Sequence, residues 1–246
     1  MGAERITLNK TEELQRIIAG RDKLYSVIAH DLRSPMGSIK MVLNMLMLNL
    51  PVEKIGGEMY ELLTMANRTT EDVFSLLDNL LKWTKSQIGN LNVVYQDVDA
   101  VEVVDSVIDV FNMVAGLKKI TIREEKPEKL PVCTDIDMLK TIIRNLLSNA
   151  IKFSNENSEV LVKMEEQGDT VVVSVKDSGC GIDEEGQQKL LHTDTHFSTF
   201  GTNNEEGSGL GLLLCQDFAV KIGGKLWFTS KEGEGSTFYF SIPLKK

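Results

Sequence analysis

Ser26-Val27-Ile28-Ala29-His30-Asp31-Leu32-Arg33-Ser34-Pro35 sets an imidazole beside a carboxylate within a helical pattern of apolar residues. Leu14, Ile17, Ile18, Leu24, Val27, Ile28 and Leu32 recur at that period, which puts His30 at the edge of the apolar stripe, where a reagent can reach it. The pattern predicts a helix over residues 11 to 48, softened at Gly20, Pro35 and Gly37. Pro35 is its expected hinge, because proline offers no N–H and its ring crowds the preceding turn. Taken alone, a His-Asp pair is more often an idle surface feature, so its meaning depends on the rest of the chain.

Pro51 to Gly57 reads as a turn, after which Met59, Leu62, Leu63, Ala66, Val73, Leu76, Leu77, Leu80, Leu81 and Trp83 recur at helical spacing to residue 88. Two long helices joined by a short loop make a hairpin, and one hairpin cannot enclose its own apolar face. The economical solution is a four-helix bundle built from two chains, with Met41, Met45, Met47, Met59 and Met65 in its core. The expected assembly is therefore a homodimer.

Past Gly89 the texture changes, dividing the chain into a helical domain, 1–90, and an α/β domain, 91–246. The second domain reads as a short strand at 91–95, a helix at 101–117 and a strand at 119–123. A helix capped by Asp135 or Asp137 then runs to Phe153, followed by strands at 159–166 and 170–176. A helix at 212–220 and strands at 225–230 and 236–243 close the chain.

Lys and Arg number 27 against 36 Asp and Glu, a net charge of −9, and no long basic run is present, which argues against nucleic acid as a partner. Cys133, Cys180 and Cys215 are odd in number and widely spaced, as suits reduced thiols of a cytoplasmic protein acting as small buried residues. No apolar run is long enough to span a bilayer, so this segment is expected to make no membrane contact. Met1-Gly2-Ala3 reads as an appended start, and any sensor or membrane-anchoring segment would lie upstream.

Three stretches of the second domain carry candidate chemistry. In Arg144-Asn145-Leu146-Leu147-Ser148-Asn149-Ala150-Ile151-Lys152-Phe153, helical spacing puts Asn145, Asn149 and Lys152 on one face. Amides and an ammonium there suit a polyphosphate with its metal, since Mg²⁺ takes oxygen ligands and keeps several waters. In Asp177-Ser178-Gly179-Cys180-Gly181 a carboxylate ends a strand and glycines let the backbone turn, so an acceptor can face an exocyclic amine. Gly207-Ser208-Gly209-Leu210-Gly211 opens a helix whose first N–H groups can meet phosphate oxygens.

In this order, His-Asp-x-x-x-Pro, Asn-x-x-x-Asn-Ala-x-Lys-Phe, Asp-x-Gly-x-Gly and Gly-x-Gly-x-Gly resemble the catalytic core of the sensor histidine kinases of two-component signalling, from about residue 10 to 244. The resemblance implies a dimeric phosphotransfer hairpin followed by a Bergerat-type ATP-binding α/β two-layer sandwich with a mixed sheet. It also implies autophosphorylation from ATP and transfer to an aspartate of a response-regulator receiver domain. Carried over by motif, His30 is the phospho-accepting nucleophile and Asp31 the acid that orients it. Asn149 is the magnesium ligand, Asn145 and Lys152 lie near the phosphates, and Phe153 lines the site. Asp177 holds the adenine amine in a pocket shaped by Gly179 and Gly181, with Thr237 beside it. Gly207, Gly209, Leu210 and Gly211 close on the phosphates, and Phe197 and Phe200 belong to a mobile lid.

Two departures stand out. No Lys or Arg occurs from Leu190 through Gly211, where relatives carry a basic lid residue, and Glu205 and Glu206 precede the glycines. Weak ATP binding and a disordered lid are expected. Ser34 stands where phosphatase-competent relatives carry Thr or Asn to orient a water. His192 and His196 have the i, i+4 spacing of a metal pair but lack an evident third ligand, so no zinc site is expected.

Overall fold

A computed structural model describes residues 27–28, 31–50, 56–87, 92–190, 201–202 and 209–244. The chain divides into two compact units, Met1–Asn92 and Val93–Lys246.

In the first unit, helix α1 (31–49) and helix α2 (Gly57–Gln87) form an antiparallel pair. As α1 advances, its partners on α2 step back. Arg33 pairs with Asp78, Met36 packs on Leu77 and Leu81, and Lys40 meets Glu71 at 3.4 Å and the Phe74 ring at 5.5 Å. Gly37 faces α2, where a Cβ would make ordinary van der Waals contact with Phe74 Cε2 at 3.6 Å. The expected softening at Pro35 and Gly37 does not interrupt α1, which stays helical through both. Contacts to α2 on either side of the proline hold the helix across the missing N–H. Met41, Met45, Met59 and Met65, expected in a bundle core, are each more than half exposed on this single hairpin. Residues 11–26 of the expected first helix and most of the Pro51–Gly57 turn lie outside the described residues.

The second unit begins with β1 (Gln96–Asp99), α3 (Ala100–Leu117), β2 (Thr121–Glu125) and β3 (Pro131–Thr134). It continues with α4 (Ile136–Phe153), β4 (Glu159–Gln167), β5 (Thr170–Lys176) and α5 (Glu184–Lys189), then α6 (Leu210–Lys221), β6 (Leu226–Lys231) and β7 (Gly235–Pro243). The five-stranded sheet has the order β2-β4-β5-β7-β6; only the β2–β4 pair is parallel, so the sheet is mixed, as expected. Along β5, Val171, Val173 and Val175 face the same side as their register partners Ile242, Phe240 and Phe238. That side is buried, and α4 lies over it between α3 and α6 with Leu139, Ile142, Ile143, Leu146 and Leu147 fully enclosed. Burial of these five branched side chains stabilises the unit by about 2 kcal/mol each.

The strand expected at 91–95 lies instead at Gln96–Asp99, paired with β3. The reason is local: Val94 N donates to Asp135 Oδ2 at 2.8 Å, so a side chain takes the donor a ladder would have used. The other oxygen of Asp135 caps α4, accepting from Asp137 N and Met138 N at 3.0 Å, which settles the choice between Asp135 and Asp137.

Candidate functional site

The polypeptide turns sharply where β5 ends, and the turn is built around Asp177. Its side chain is 4% exposed, and Oδ1 accepts from Gly179 N at 2.9 Å and Ser236 N at 3.2 Å. Asp177 N in turn donates to Ser236 O at 2.9 Å, which locks the corner to β7. With Oδ1 taken by backbone donors, Oδ2 is the acceptor to offer a ligand. Burial raises the carboxyl pKa above the ordinary range, and the backbone N–H groups offset this only in part.

Gly179 has no substitute here. A Cβ at that position would sit 2.1 Å from Phe153 O, inside the backbone of the last turn of α4. Gly181 is left-handed, with φ +66°, and a Cβ there would meet Lys231 O at 2.0 Å. Cys180 between them donates its N–H to Phe153 O at 3.4 Å and accepts from Gly233 N at 2.7 Å. The glycine turn is thus wedged between the end of α4 and the β6–β7 turn.

On α4, Asn145 and Asn149 are half-buried one turn apart, and Lys152 follows on the same face. Asn145 Nδ2 donates to Thr141 O at 2.9 Å, and its Oδ1 faces Gly211, where a Cβ would lie 2.7 Å away. Asn145 therefore seats the first turn of α6 against α4, bringing the asparagine face and the second glycine run together. Lys152 Nζ lies 4.7 Å from the centre of the half-buried Phe153 ring. Gly209, with φ +66°, precedes Leu210 at the start of α6, which has no side-chain cap and no acidic residue in its first turn. A helix start with no side-chain cap and no acidic residue in its own first turn is suited to an anion.

Thr237 pairs with Lys176 in the register, and the N–H that reaches Asp177 Oδ1 is the backbone amide of Ser236. A shift of one residue reverses the face in a strand, so Thr237 stands on the side of the sheet away from α4. Sequence reasoning missed Ser236; the alternation along β7, with Phe238 and Phe240 inward, was the signal that could have found it. The expectation that all three cysteines are buried also fails, since Cys215 is buried, Cys133 half-buried and Cys180 exposed. A glycine turn has no face that could cover Cys180.

In the hairpin, Asp31 and Ser34 are exposed, and Ser34 O accepts from Ser38 Oγ at 3.2 Å. His30, Gly207, Phe197, Phe200, His192, His196, Glu205 and Glu206 lie outside the described residues, as does most of the expected lid, of which Leu190, Gly201, Thr202 and Gly209 to Gly211 are described. Among the described residues no group of three His, Cys, Asp or Glu side chains could hold a metal. What the site provides is neutral amide oxygen beside an ammonium and an uncapped helix start. That donor set fits a magnesium ion that arrives with its phosphates and keeps its waters, not one caged by protein ligands.

Residues 134–246 match the family described as histidine kinase-, DNA gyrase B- and HSP90-like ATPases. The adaptive-response sensory kinase SasA of Crocosphaera subtropica is 29% identical over 238 residues, covering 95% of this chain and 62% of that protein. The catalytic domain of the histidine kinase ThkA, in a nucleotide-free crystal form, is 31% identical across 61% of this chain and 96% of its own, with a TM-score of 0.54. Full-length ShkA in complex with AMPPNP shares the fold over 91% of this chain and 46% of its own, at a TM-score of 0.69 and 21% identity. The chain spans about three fifths of the length of the SasA proteins it matches.

Proposed function

Because this chain belongs to the sensor histidine kinases, we propose that it uses ATP to phosphorylate its own His30 and passes the phosphoryl group to an aspartate of a response-regulator receiver domain. The observation that carries the reading is the closed corner of the second unit. Phe153 O accepts from Cys180 N, and Asp177 Oδ1 accepts from Gly179 N. The helix end bearing Asn149 and Lys152 is thereby joined to the turn bearing a buried carboxylate. Purine-reading and phosphate-reading groups lie on adjoining elements.

In this reading Asp177 Oδ2 accepts from the adenine amine, with Gly179 and Gly181 giving the base room. Asn149 would hold magnesium through its side-chain carbonyl oxygen, and the ion would supply neutralisation of phosphate charge. Asn145 holds the α6 start in place, while Lys152 and the N–H groups from Gly207 through Gly211 complement the polyphosphate. Phe153 lines the site.

At His30, Asp31 accepts a hydrogen bond from one ring nitrogen and fixes the tautomer, leaving the lone pair of the other nitrogen directed outward. That lone pair forms the N–P bond as the bond from the γ-phosphorus to the bridging oxygen breaks and ADP departs. A receiver carboxylate oxygen then attacks the same phosphorus, and the N–P electron pair returns to the imidazole. Positioning and charge neutralisation supply most of the catalysis in such transfers. Ser34, exposed one turn beyond His30, is the candidate to orient a water when the receiver is dephosphorylated.

The exposed apolar residues of the hairpin, Met41, Met45, Met59 and Met65 among them, support a homodimeric four-helix bundle, with the domain boundary near residue 90. No helix among the described residues is long and apolar enough to cross a membrane. We place the segment in the cytoplasm, where ATP is available, either free or as part of a membrane-anchored sensor.

Incubation with γ-labelled ATP tests the proposal. Protein-bound label that is acid-labile, alkali-stable and absent from His30→Gln is the expected result, with nucleotide binding intact in that variant. Release of free phosphate with no protein-bound label would mean a gyrase-like ATPase instead.

A further inference from the structure

Lys118, in the turn after α3, is an ammonium-bearing side chain only 8% exposed. Its Nζ donates to Ile151 O at 3.0 Å, Lys152 O at 2.9 Å and Thr202 Oγ1 at 2.8 Å, with Ser154 O farther off at 3.4 Å. Three N–H groups thus meet three acceptors at ordinary hydrogen-bond length, a match for the compact tetrahedral ammonium that a planar guanidinium would not reproduce. Two of these acceptors are carbonyls of the last turn of α4, where a helix lacks intrahelical donors and carries partial negative charge.

The third acceptor brings in a separate stretch of chain. Thr202 lies between α5 and α6, and it is tied to the same place from its own side. Thr202 N donates to Lys152 O at 3.1 Å, and Thr202 Oγ1 lies 2.7 Å from Ser154 O. The donors and acceptors balance when the hydroxyl hydrogen goes to Ser154 O and an oxygen lone pair receives Lys118. Phe153 O, the remaining carbonyl in this run, accepts from Cys180 N in the glycine turn. Four successive carbonyls at the end of α4 are thus shared between Lys118, Thr202 and the turn after Asp177.

We infer that Lys118 is a positioning residue. Through Thr202 and the α4 carbonyls it fixes where Lys152, Phe153 and the Asp177 turn stand relative to a bound nucleotide. It touches no reacting atom. The inference rests on the nucleotide-binding part of the proposed function and not on phosphoryl transfer to His30.

The test uses the full chain carrying Thr202→Val, Thr202→Ser or Lys118→Met, with calorimetric affinity for AMPPNP and thermal unfolding as readouts. Thr202→Val removes the hydroxyl but keeps the backbone bond to Lys152 O. Thr202 is exposed and Ser154 O, 3.4 Å from Nζ, is at hand for the freed N–H, so the unfolding temperature should fall less than in Lys118→Met, while AMPPNP binding weakens about tenfold because Thr202 no longer ties Lys118 to the end of α4. Thr202→Ser should restore wild-type affinity. Lys118→Met should weaken binding at least as much and also lower the unfolding temperature; should that variant fail to fold, the Thr202 pair still decides. Wild-type affinity in Thr202→Val, or no rescue by serine, overturns the inference. A wild-type protein that binds AMPPNP yet never acquires phosphohistidine would defeat the kinase proposal while leaving this comparison intact.

Discussion

Replacing Asp177 with Asn changes one atom of the site in kind and almost nothing in shape. The amide oxygen can occupy the Oδ1 position and keep the bonds from Gly179 N at 2.9 Å and Ser236 N at 3.2 Å. The amide nitrogen then stands where Oδ2 was, presenting a donor to the donor amine of adenine. A hydrogen bond to a charged group contributes about 1.5–3 kcal/mol, so AMPPNP affinity should fall about 10- to 150-fold. Stability should move the other way. Burial outweighs the backbone hydrogen bonds and raises the Asp177 pKa, so its favourable contribution is complete below the ordinary carboxylate pKa and is lost as pH rises through the raised value. At neutral pH the ionised group therefore costs stability, and Asp177→Asn should melt at or above the wild-type temperature without nucleotide. In the wild type, nucleotide binding should weaken on acidification beginning above the usual carboxylate range, as the acceptor is protonated. Calorimetry and thermal unfolding at several pH values give all three quantities. Wild-type affinity in Asp177→Asn, or a clear loss of stability at pH 7, would refute the placement of a buried acceptor at this corner.

Gly179→Ala would push a Cβ to 2.1 Å from Phe153 O, where only backbone can yield; overpacking of this kind costs about 1–3 kcal/mol, and both the unfolding temperature and AMPPNP affinity should drop. Unchanged values would mean that the turn has slack. The hairpin should hold two chains together, giving twice the 27.4 kDa chain mass by light scattering at micromolar concentration, whereas a monomer counts against the bundle. With no Lys or Arg from Leu190 through Gly211, wild-type AMPPNP affinity should be micromolar or weaker, and a submicromolar value would show that other residues supply the missing charge.

Long periodic elements were legible from the residues because burial enforces their pattern. Helix α4 carries an apolar stripe over 18 residues, and the valine-rich β5 pairs with β7 for its whole length. Short elements were not. Strand β3 has four residues and begins with proline, and α5 is under two turns long, defined by Asp183 capping Gly186 N at 2.8 Å and by little periodic signal. At the site, glycine spacing and Asp177 were visible because a close backbone approach leaves no other residue type. Ser236 was hidden behind Thr237, since a motif gives neighbours along the chain while a strand decides which of two neighbours faces inward. Lys118 was invisible for a further reason: its partners lie 33, 34 and 84 residues away, and only the fold brings their carbonyls and hydroxyl together.

The central claim is that the γ-phosphoryl group of ATP comes to rest on one imidazole nitrogen. Peptide mapping by mass spectrometry, with the protein kept alkaline after incubation with ATP and Mg²⁺, measures this most directly. A single phosphoryl group on the peptide containing His30, absent from His30→Gln, is the predicted result. A phosphoryl group on another residue, or ATP consumed with none on the protein, would contradict it.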